Sequence, residues 1–338
     1  MTDSPSAPTL LARAADGMRL PIIDITHPAF ATELGPATLP EAIARYVEEE
    51  RRRQRVPQWL TGLFLRLAGG NSYLIRAMAN ARASGYLPAL TTYLLKLGAP
   101  NLVPPLDNDI DRRIVETLPA RSLRLRLGQV ATLLARGLAP LLEADADRPL
   151  RFLNIAGGPA MDSLNALILL RRDHPASLAG RPIVIDVLDI DGAGPAFGRA
   201  ARAALSGADG PLAGVDAELR HVPWNWSDRE TLERMAADLA ARRAIVAVSS
   251  EGGLFEYGED GEITGVLGTL AKSAPADTIV AGSVTRADPA TLLFRRRSLF
   301  PIIPRGAERF SALAKAAGWR VDEIESAAFS DQVLLRRA

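Results

Sequence analysis

The end of the chain carries the clearest indication of its fold. It reads WRVDEIES (319–326) and FSDQVLLRR (329–337), two strand-like runs with only Ala327 and Ala328 between them. Parallel strands need a crossover connection of a dozen or more residues, so such a short link joins antiparallel neighbours. The sequence therefore predicts a sheet that ends in an antiparallel hairpin.

Upstream of this hairpin, strand-like and helix-like runs alternate. The strand-like runs are RFLNIA (151–156), RPIVIDVLD (181–189), DAELRHVPW (216–224), RAIVAVSS (243–250) and DTIVAGSV (277–284). The helix-like runs are MDSLNALILLRRD (161–173), PAFGRAARAAL (195–205), SDRETLERMAADLAARR (227–243), EITGVLGTLAKS (262–273) and GAERFSALAKAAG (306–318). This alternation predicts an α/β fold with a parallel sheet and helices on both of its faces.

The first part of the chain has a different texture, with apolar residues at helical spacing and no strand-like run. Its helix-like runs are TLPEAIARYVEEERRRQ (38–54), PQWLTGLFLRLA (57–68), SYLIRAMANARA (72–83), ALTTYLLKLG (89–98) and ARSLRLRLGQVATLLARGLAPLL (120–142). The last of these is long enough for one helix or a pair. The polar stretch EADADRP (143–149) follows, so we predict a helical domain over 1–145 and an α/β domain over 146–338.

Composition excludes several kinds of chemistry. The 338 residues include no cysteine, which excludes a thiolate nucleophile. The three histidines are far apart in the sequence, so we predict no metal site. The formal net charge of +1 argues against a nucleic-acid partner, because such domains usually carry a basic excess. No apolar run is long enough to span a bilayer, and no signal pattern opens the chain, so we expect no membrane partner and a cytoplasmic location.

Five βα units followed by an antiparallel hairpin resemble the class I S-adenosylmethionine-dependent methyltransferases. The resemblance covers roughly residues 151–338. It implies a Rossmann-like, doubly wound, seven-stranded sheet with S-adenosyl-L-methionine bound at the carboxyl ends of the strands. It also implies that the helical domain over 1–145 forms a lid that shapes the acceptor pocket. NAD and ATP fit poorly as cofactors. Residues 156–161 are AGGPAM and do not match the GxGxxG fingerprint of dinucleotide-binding proteins, and the sequence has no Walker-type phosphate loop.

The first strand leads into LNIAGGPAMDSLNAL (153–167), which matches the family's cofactor loop imperfectly. The family has an acidic residue and then glycines at alternate positions, where this chain has Asn154, Ala156, Gly158 and Ala160. The resemblance places Asn154, Ala156, Gly157, Gly158 and Pro159 against the cofactor. The alternative is a tight strand-to-helix turn that merely needs small residues.

The next two strand ends supply candidate contacts to a nucleoside. IVIDVLDID (183–191) ends in acid, and an acidic side chain at this point takes the ribose hydroxyls, which nominates Asp189, Ile190 and Asp191. Asp186, inside the same run, is expected at an edge or bulge position.

HVPWNWSD (221–228) follows the third strand, and there the resemblance assigns Asn225 to the adenine amino group and Trp224 or Trp226 to the ring face. The alternative is two core tryptophans and a turn asparagine.

The fourth strand ends in VSSEGGLFEYGEDGEI (248–263), which resembles the EGxxxYL-like stretch of the leucine carboxyl methyltransferase-like branch. Glu251, Gly252 and Tyr257 match that stretch, with Gly258 in place of the usual Leu. Glu251 is a candidate general base or substrate-orienting group, Tyr257 a candidate hydrogen-bond donor, and Ser249 and Ser250 adjoin the cofactor. The alternative for Glu251 is a structural role in capping backbone amides of the glycine turn.

The resemblance implies in-line methyl transfer to an oxygen or nitrogen of a small-molecule acceptor, which needs no metal. Two alternatives stay open: transfer or cyclisation of the aminocarboxypropyl arm with release of methylthioadenosine, and a non-catalytic cofactor-binding scaffold. A homodimer is compatible with the sequence. Five residues of the helical domain are candidate partners for the cofactor carboxylate, with surface positions as the alternative: Tyr93, Lys96, Arg112, Arg113 and Arg126.

Overall fold

A seven-stranded mixed sheet forms the centre of the protein in a computed structural model that describes residues 9–53, 72–81, 87–298 and 300–338. The strand order is β5-β4-β3-β6-β7-β9-β8. Neighbours from β5 to β7 run parallel, whereas β9 runs antiparallel between β7 and β8. The strands are β3 (Leu150–Ile155), β4 (Ile183–Asp189), β5 (Ala217–Pro223), β6 (Ile245–Ser250), β7 (Ile279–Thr285), β8 (Trp319–Ser326) and β9 (Ser330–Arg337). The predicted sheet and terminal hairpin are thus confirmed.

Helices cover both faces of this sheet, which is why its central strands are almost continuously apolar. Every residue of β6 and of β7 is buried. The helices that follow β3 are α6 (Met161–Asp173), α7 (Pro175–Leu178), α8 (Ala193–Leu205), α9 (Arg229–Ala241), α10 (Leu254–Tyr257), α11 (Asp260–Ser273), α12 (Pro289–Arg297) and α13 (Gly306–Ala316).

The preceding part of the chain contributes α1 (Leu39–Arg53), α2 (Tyr73–Ala81), α3 (Ala89–Lys96), α4 (Asp109–Val115) and α5 (Leu118–Ala144). Its last helix-like run is one helix of 27 residues rather than a pair, and Pro140 lies inside it. Helix α5 packs against α6, β7 and β9, so it belongs to the layer that covers one face of the sheet. The helix expected over 57–68 lies outside the described residues.

Two expectations about local structure are wrong. The first part of the chain is not purely helical, because β1 (Leu11–Arg13) and β2 (Arg19–Pro21) form an antiparallel hairpin. Its three-residue strands are too short to show a period, and its turn depends on Gly17 at φ +90°. Asp186 lies at neither an edge nor a bulge, since β4 pairs in regular register with β3 and β5.

One hydrophobic cluster joins the two predicted domains. It contains Leu127, Leu134 and Leu138 of α5 together with Ile279 and Leu334 of the sheet. At Gly137 the two layers are so close that an added Cβ would stand 2.8 Å from Cδ1 of Ile279. A second cluster fills the opposite face of the sheet, under α9, α11 and α13. In the described part of the chain, no helix has both the length and the apolar character of a membrane span.

Candidate active site

A cavity of about 300 Å³ opens at the carboxyl ends of β3, β4, β5 and β6. In parallel α/β sheets this edge is where ligands bind, so its position is the expected one. Ten of the residues that the sequence nominated at the strand ends line it: Ala156, Gly157, Pro159, Asp189, Ile190, Trp224, Asn225, Trp226, Glu251 and Tyr257. The other five residues nominated at the strand ends are not among its lining: Asn154, Gly158, Asp191, Ser249 and Ser250.

The turn between β3 and α6 forms the floor of this first cavity. Ala156, Gly158 and Ala160 have φ values of +51°, +57° and +53°. These are the alternate positions at which the methyltransferase pattern has glycine, and the two alanines keep the left-handed conformation without it. That conformation costs an L-residue about 1–2 kcal/mol, so the surrounding structure must hold the turn in place.

Asn154 lies beneath the turn, which corrects its expected direct contact with a cofactor. Its side chain is fully buried, and its Nδ2 lies 2.7 Å from Oδ1 of Asp162 and 3.0 and 2.8 Å from the hydroxyls of Ser163 and Ser249, so its two N–H groups are shared among three acceptors. A Cβ added to Gly157 would stand 1.9 Å from Oδ1 of Asn154. Asn154 and Ser249 therefore support the turn from below, and the backbone of Gly157 faces the cavity.

Asp189 is positioned at the end of β4 by two backbone amides. Its Oδ2 accepts a hydrogen bond from the N–H of Gly158 at 3.1 Å, and its Oδ1 accepts one from Asp191 at 2.9 Å. Burial raises the pKa of Asp189, and these two hydrogen bonds offset part of that rise. A carboxylate has about four acceptor positions, so this one can still accept bonds from a ligand. Asp191 instead accepts from the N–H of Ala193 at the start of α8.

The end of β5 supplies an aromatic wall. Trp224 is buried, and its indole N–H donates to the carbonyl of Asp228 at 2.8 Å. Asn225 accepts from the amide and the hydroxyl of Ser227 through Oδ1, which is the turn role foreseen as its alternative. Ile190 also lines the cavity, and its side chain is 55% exposed.

A buried cluster of four charges lies where the glycine turn after β6 meets α3 and α5. Nε of Arg126 lies 2.7 Å from Oε1 of Glu251, and Lys96 contacts the other oxygen of the same carboxylate. Nη1 of Arg126 lies 2.6 Å from Oε1 of Glu256. We call these four residues the ion cluster. Its charges sum to zero, which is what burial of ionised groups requires.

The two carboxylates of the ion cluster differ in their proton affinity. Burial would raise the pKa of Glu251, but Lys96 and Arg126 together hold it below its usual range. Burial raises the pKa of Glu256, and Arg126 offsets only part of that rise. An ionised, doubly paired Glu251 is a weak base, so the geometry favours the orienting role among the two that the sequence left open. Glu251 does not cap the backbone amides of the glycine turn, because its two carboxylate oxygens contact Lys96 and Arg126.

The helical part of the chain therefore supplies two cations that sequence reasoning had left among several candidates. Lys96 and Arg126 line the first cavity, as does Tyr93, whose hydroxyl is bonded to the carbonyl of Pro21. Arg112 binds backbone carbonyls elsewhere and Arg113 is exposed. One feature of the sequence could have indicated that these two cations are buried. Each lies within an apolar run, Lys96 in LTTYLLKLG and Arg126 in SLRLRLG. Lining residues without any such signal include Leu87, Ala89, Thr92, Met161, Leu188 and Gly253.

A second cavity, of about 390 Å³, adjoins the first. The two share the lining residues Leu87, Thr92, Arg126, Gly252 and Tyr257. The second one extends between α5, α12 and the turn before β9, and its remaining lining is mostly apolar. Burial raises the pKa of Tyr257 above its ordinary value, so its hydroxyl stays protonated and can donate a hydrogen bond at the boundary. No group of three or more metal-binding side chains occurs within the described ranges.

No protein-family model matches the chain, and no curated protein matches it either. Among solved structures, a possible exported protein from Bordetella parapertussis is 16% identical over 90% of this chain and 99% of that one, with a TM-score of 0.50. The mitomycin 7-O-methyltransferase MmcR is 17% identical over 68% of this chain and 59% of its own, with a TM-score of 0.39. NcsB1, an O-methyltransferase from neocarzinostatin biosynthesis solved with S-adenosyl-L-homocysteine and 1,4-dihydroxy-2-naphthoic acid, is 17% identical over 68% of this chain and 58% of its own, with a TM-score of 0.40. This chain thus spans less than two thirds of either methyltransferase.

At these identities the likeness concerns the fold. The parallel order of β5 to β7, with β9 inserted antiparallel between β7 and β8, gives this chain the class I S-adenosylmethionine-dependent methyltransferase fold. The expected fold is therefore confirmed, whereas a fold alone does not establish an activity.

Proposed function

We propose that the protein is an S-adenosylmethionine-dependent methyltransferase that acts on an oxygen or nitrogen of a small molecule. The observation that carries this proposal is the pair of adjoining cavities at the carboxyl edge of the sheet. The first has the polar groups that a nucleoside and an amino acid need, and the second is mostly apolar and opens from it. Volumes of about 300 and 390 Å³ are in the range of small-molecule sites.

The residue types of the first cavity fit S-adenosylmethionine from end to end. Asp189 would accept the ribose hydroxyls, and Trp226 with Ile190 would cover the adenine. The backbone of Gly157 would lie against the chain of the cofactor, because the turn is supported from the other side, where an added Cβ would meet Oδ1 of Asn154. Lys96, whose ammonium group has N–H donors beyond the one paired with Glu251, would attract the carboxylate of the cofactor, and Glu251 would attract its ammonium group.

The proposed chemistry asks little of the protein beyond position. The bound cofactor supplies an electrophilic methyl group on a positively charged sulfur. This chain's residues would align the acceptor with that methyl group, exclude water and accept a proton where the acceptor carries one. Tyr257 is suited to orient the acceptor, because it lines both cavities.

Titration calorimetry tests the proposal. We expect the protein to bind S-adenosylhomocysteine and S-adenosylmethionine at micromolar concentration. Lys96→Met should weaken S-adenosylhomocysteine binding, whereas Lys272→Met, which removes an exposed partner of Glu233, should not. The absence of binding below millimolar concentration would refute the proposal.

Product analysis then identifies the group transferred. S-adenosylhomocysteine as the product indicates methyl transfer. Methylthioadenosine instead indicates transfer or cyclisation of the aminocarboxypropyl arm. Binding without turnover of either kind, over a panel of acceptors, supports a scaffold.

A further inference from the structure

Glu256 lines the second cavity. Of the described residues that line this cavity, it alone carries a carboxylate. We propose that the acceptor is an uncharged hydroxyl compound, a phenol most readily, and that Glu256 accepts the proton of its hydroxyl. The inference rests on the proposed methyl transfer and assigns a base that differs from Glu251.

The geometry directs one oxygen of Glu256 to the boundary between the cavities. Its Oε1 is taken by Nη1 of Arg126 at 2.6 Å. Its Oε2 lies close to Gly252, since a Cβ added to that glycine would stand 3.3 Å from it. Gly252 lines both cavities, so Oε2 lies near the passage through which donor and acceptor would meet.

The two glutamates of the ion cluster have environments that separate their roles. Glu251 contacts two cations and Glu256 contacts one, so the proton affinity of Glu256 is the higher. When the environments of two neighbouring acids shift their pKa values apart, the acid with the raised value is the one suited to proton transfer. No histidine competes for this role, because His27, His174 and His221 line neither cavity.

The lining of the second cavity favours a neutral, planar acceptor. Three phenylalanines take part in it, Phe294, Phe300 and Phe329, and the rings of Phe294 and Phe329 lie 5.0 Å apart. Arg126 is the sole cation among the described lining residues, and both glutamates already pair with it. An anionic acceptor would therefore face the charge of Glu256 without a free cation to balance it.

The proposed step balances as follows. The hydroxyl proton passes to Oε2 of Glu256 while an oxygen electron pair forms the new bond to the methyl carbon. The carbon–sulfur bond breaks, its electron pair stays on sulfur, and a neutral thioether leaves. Glu256 then releases its proton to solvent.

A binding experiment tests this assignment without turnover. 4-Nitrophenol is titrated into the wild-type protein, Glu256→Gln and the exposed control Glu308→Gln, with and without S-adenosylhomocysteine, and its ionisation is followed by absorbance across pH. A carboxylate that accepts the phenol proton should raise the half-ionisation pH of the bound phenol by about one unit relative to Glu256→Gln. Equal half-ionisation in wild type and Glu256→Gln, or no saturable binding to wild type, overturns the proposal.

A kinetic experiment separates a catalytic from a structural role. With 1-naphthol as acceptor near neutral pH, Glu256→Gln should lower kcat/KM about 100-fold. The deficit should shrink as the pH approaches that at which 1-naphthol ionises unaided, whereas the Glu308→Gln rate should follow wild type throughout. A deficit that stays constant across pH, or no S-adenosylhomocysteine formed from 1-naphthol by a wild-type protein that binds it, overturns the proposal.

The fold of the variant is controlled separately. The amide oxygen that Glu256→Gln introduces can still accept from Arg126, so we expect S-adenosylhomocysteine affinity within about threefold of wild type. Glu256→Asp keeps the charge and should restore part of the pH dependence. Failure of S-adenosylhomocysteine to bind wild type would refute the proposed function itself, whereas 4-nitrophenol binding without the cofactor would still report on Glu256.

Discussion

Two alanines show how far a single residue type can depart from a pattern while the backbone keeps its path. Ala156 and Ala160 occupy positions where glycine would relieve a left-handed φ, yet both remain left-handed. The β3–α6 turn is held by tertiary contacts instead. Oδ2 of Asp189 accepts from Gly158, and Asn154 fills the space below Gly157. The turn is therefore a consequence of its neighbours as much as of its own sequence.

Gly157→Ala should damage this turn severely. The new methyl group would meet Oδ1 of Asn154 at 1.9 Å, and Asn154 cannot move aside because the two N–H groups of its amide are held by three buried acceptors. We expect a loss of about 2 kcal/mol or more in the free energy of unfolding, measured in urea, and weaker S-adenosylhomocysteine binding. Gly268→Ala is the matched control, since nothing lies within 4 Å of its Cβ in helix α11. It should raise the free energy of unfolding by up to about 1 kcal/mol. Equal effects of the two substitutions would contradict this account.

Asp189→Asn should lower cofactor affinity. Both carboxylate oxygens accept backbone N–H groups, so an amide NH₂ would face one of these donors and the ribose would lose an anionic partner. We expect S-adenosylhomocysteine to bind about 10- to 100-fold more weakly by calorimetry.

Asp186→Asn on the same strand is the control for Asp189→Asn. Asp186 does not line the first cavity, and burial raises its pKa, so removal of its charge should leave affinity unchanged and stability unchanged or higher. An unaltered affinity in Asp189→Asn would refute the ribose role.

At the scale of elements, helix α5 links the two parts of the chain. One side of it packs on β7 and β9, and Arg126 on the same helix reaches both glutamates of the ion cluster. Further along, Arg136 pairs with Glu323 and Glu325 of the edge strand β8 at the surface. The same helix thus carries one arginine in a buried network and one in an exposed network.

This contrast gives a paired prediction. Arg126→Leu leaves Glu251 and Glu256 buried with too little positive charge, and we expect a loss of about 3–5 kcal/mol in the free energy of unfolding. Arg136→Leu removes a half-exposed partner and should cost at most about 1 kcal/mol. Urea denaturation of both variants measures the difference. Losses of similar size would indicate that the ion cluster does not stabilise the fold.

At the scale of the whole molecule, the predicted division at residues 145 and 146 falls within one continuous hydrophobic core. Leu134 and Leu138 of α5 belong to the same cluster as Ile279 and Leu334 of the sheet. The charges that face the first cavity likewise come from both sides of that division. Neither part therefore completes the core or the candidate site by itself.

We predict that residues 146–338 expressed alone do not fold cooperatively. Without α5, the apolar side chains of β7 and β9 would face water. Each large side chain exposed in this way would lower the free energy of unfolding by about 1.5–3 kcal/mol. The fragment should bind the dye ANS and lack a sharp urea transition, whereas the full chain should show one. A cooperative transition in the fragment, with S-adenosylhomocysteine affinity close to that of the full chain, would show instead that the α/β part is independent.

The sequence by itself determined the order of strands and helices in the α/β part and the antiparallel end of the sheet. These features depend on local periodicity and on the length of each link, which neighbouring residues along the chain specify. The sequence also predicted that one edge of the sheet carries Asp189, Trp224, Asn225 and Glu251, because the carboxyl ends of parallel strands lie together at that edge.

Only the tertiary structure decided what those side chains contact. The sequence predicts that Lys96 and Arg126 lie in helices, but it does not predict whether they are exposed. In the structure both contact Glu251, which is more than a hundred residues away along the chain. The position of Asn154 below the turn and the boundary between the two cavities also depend on contacts distant in sequence. Burial sets which charges must pair and which carboxylate has the higher proton affinity, and burial is a property of the packed molecule that no single segment contains.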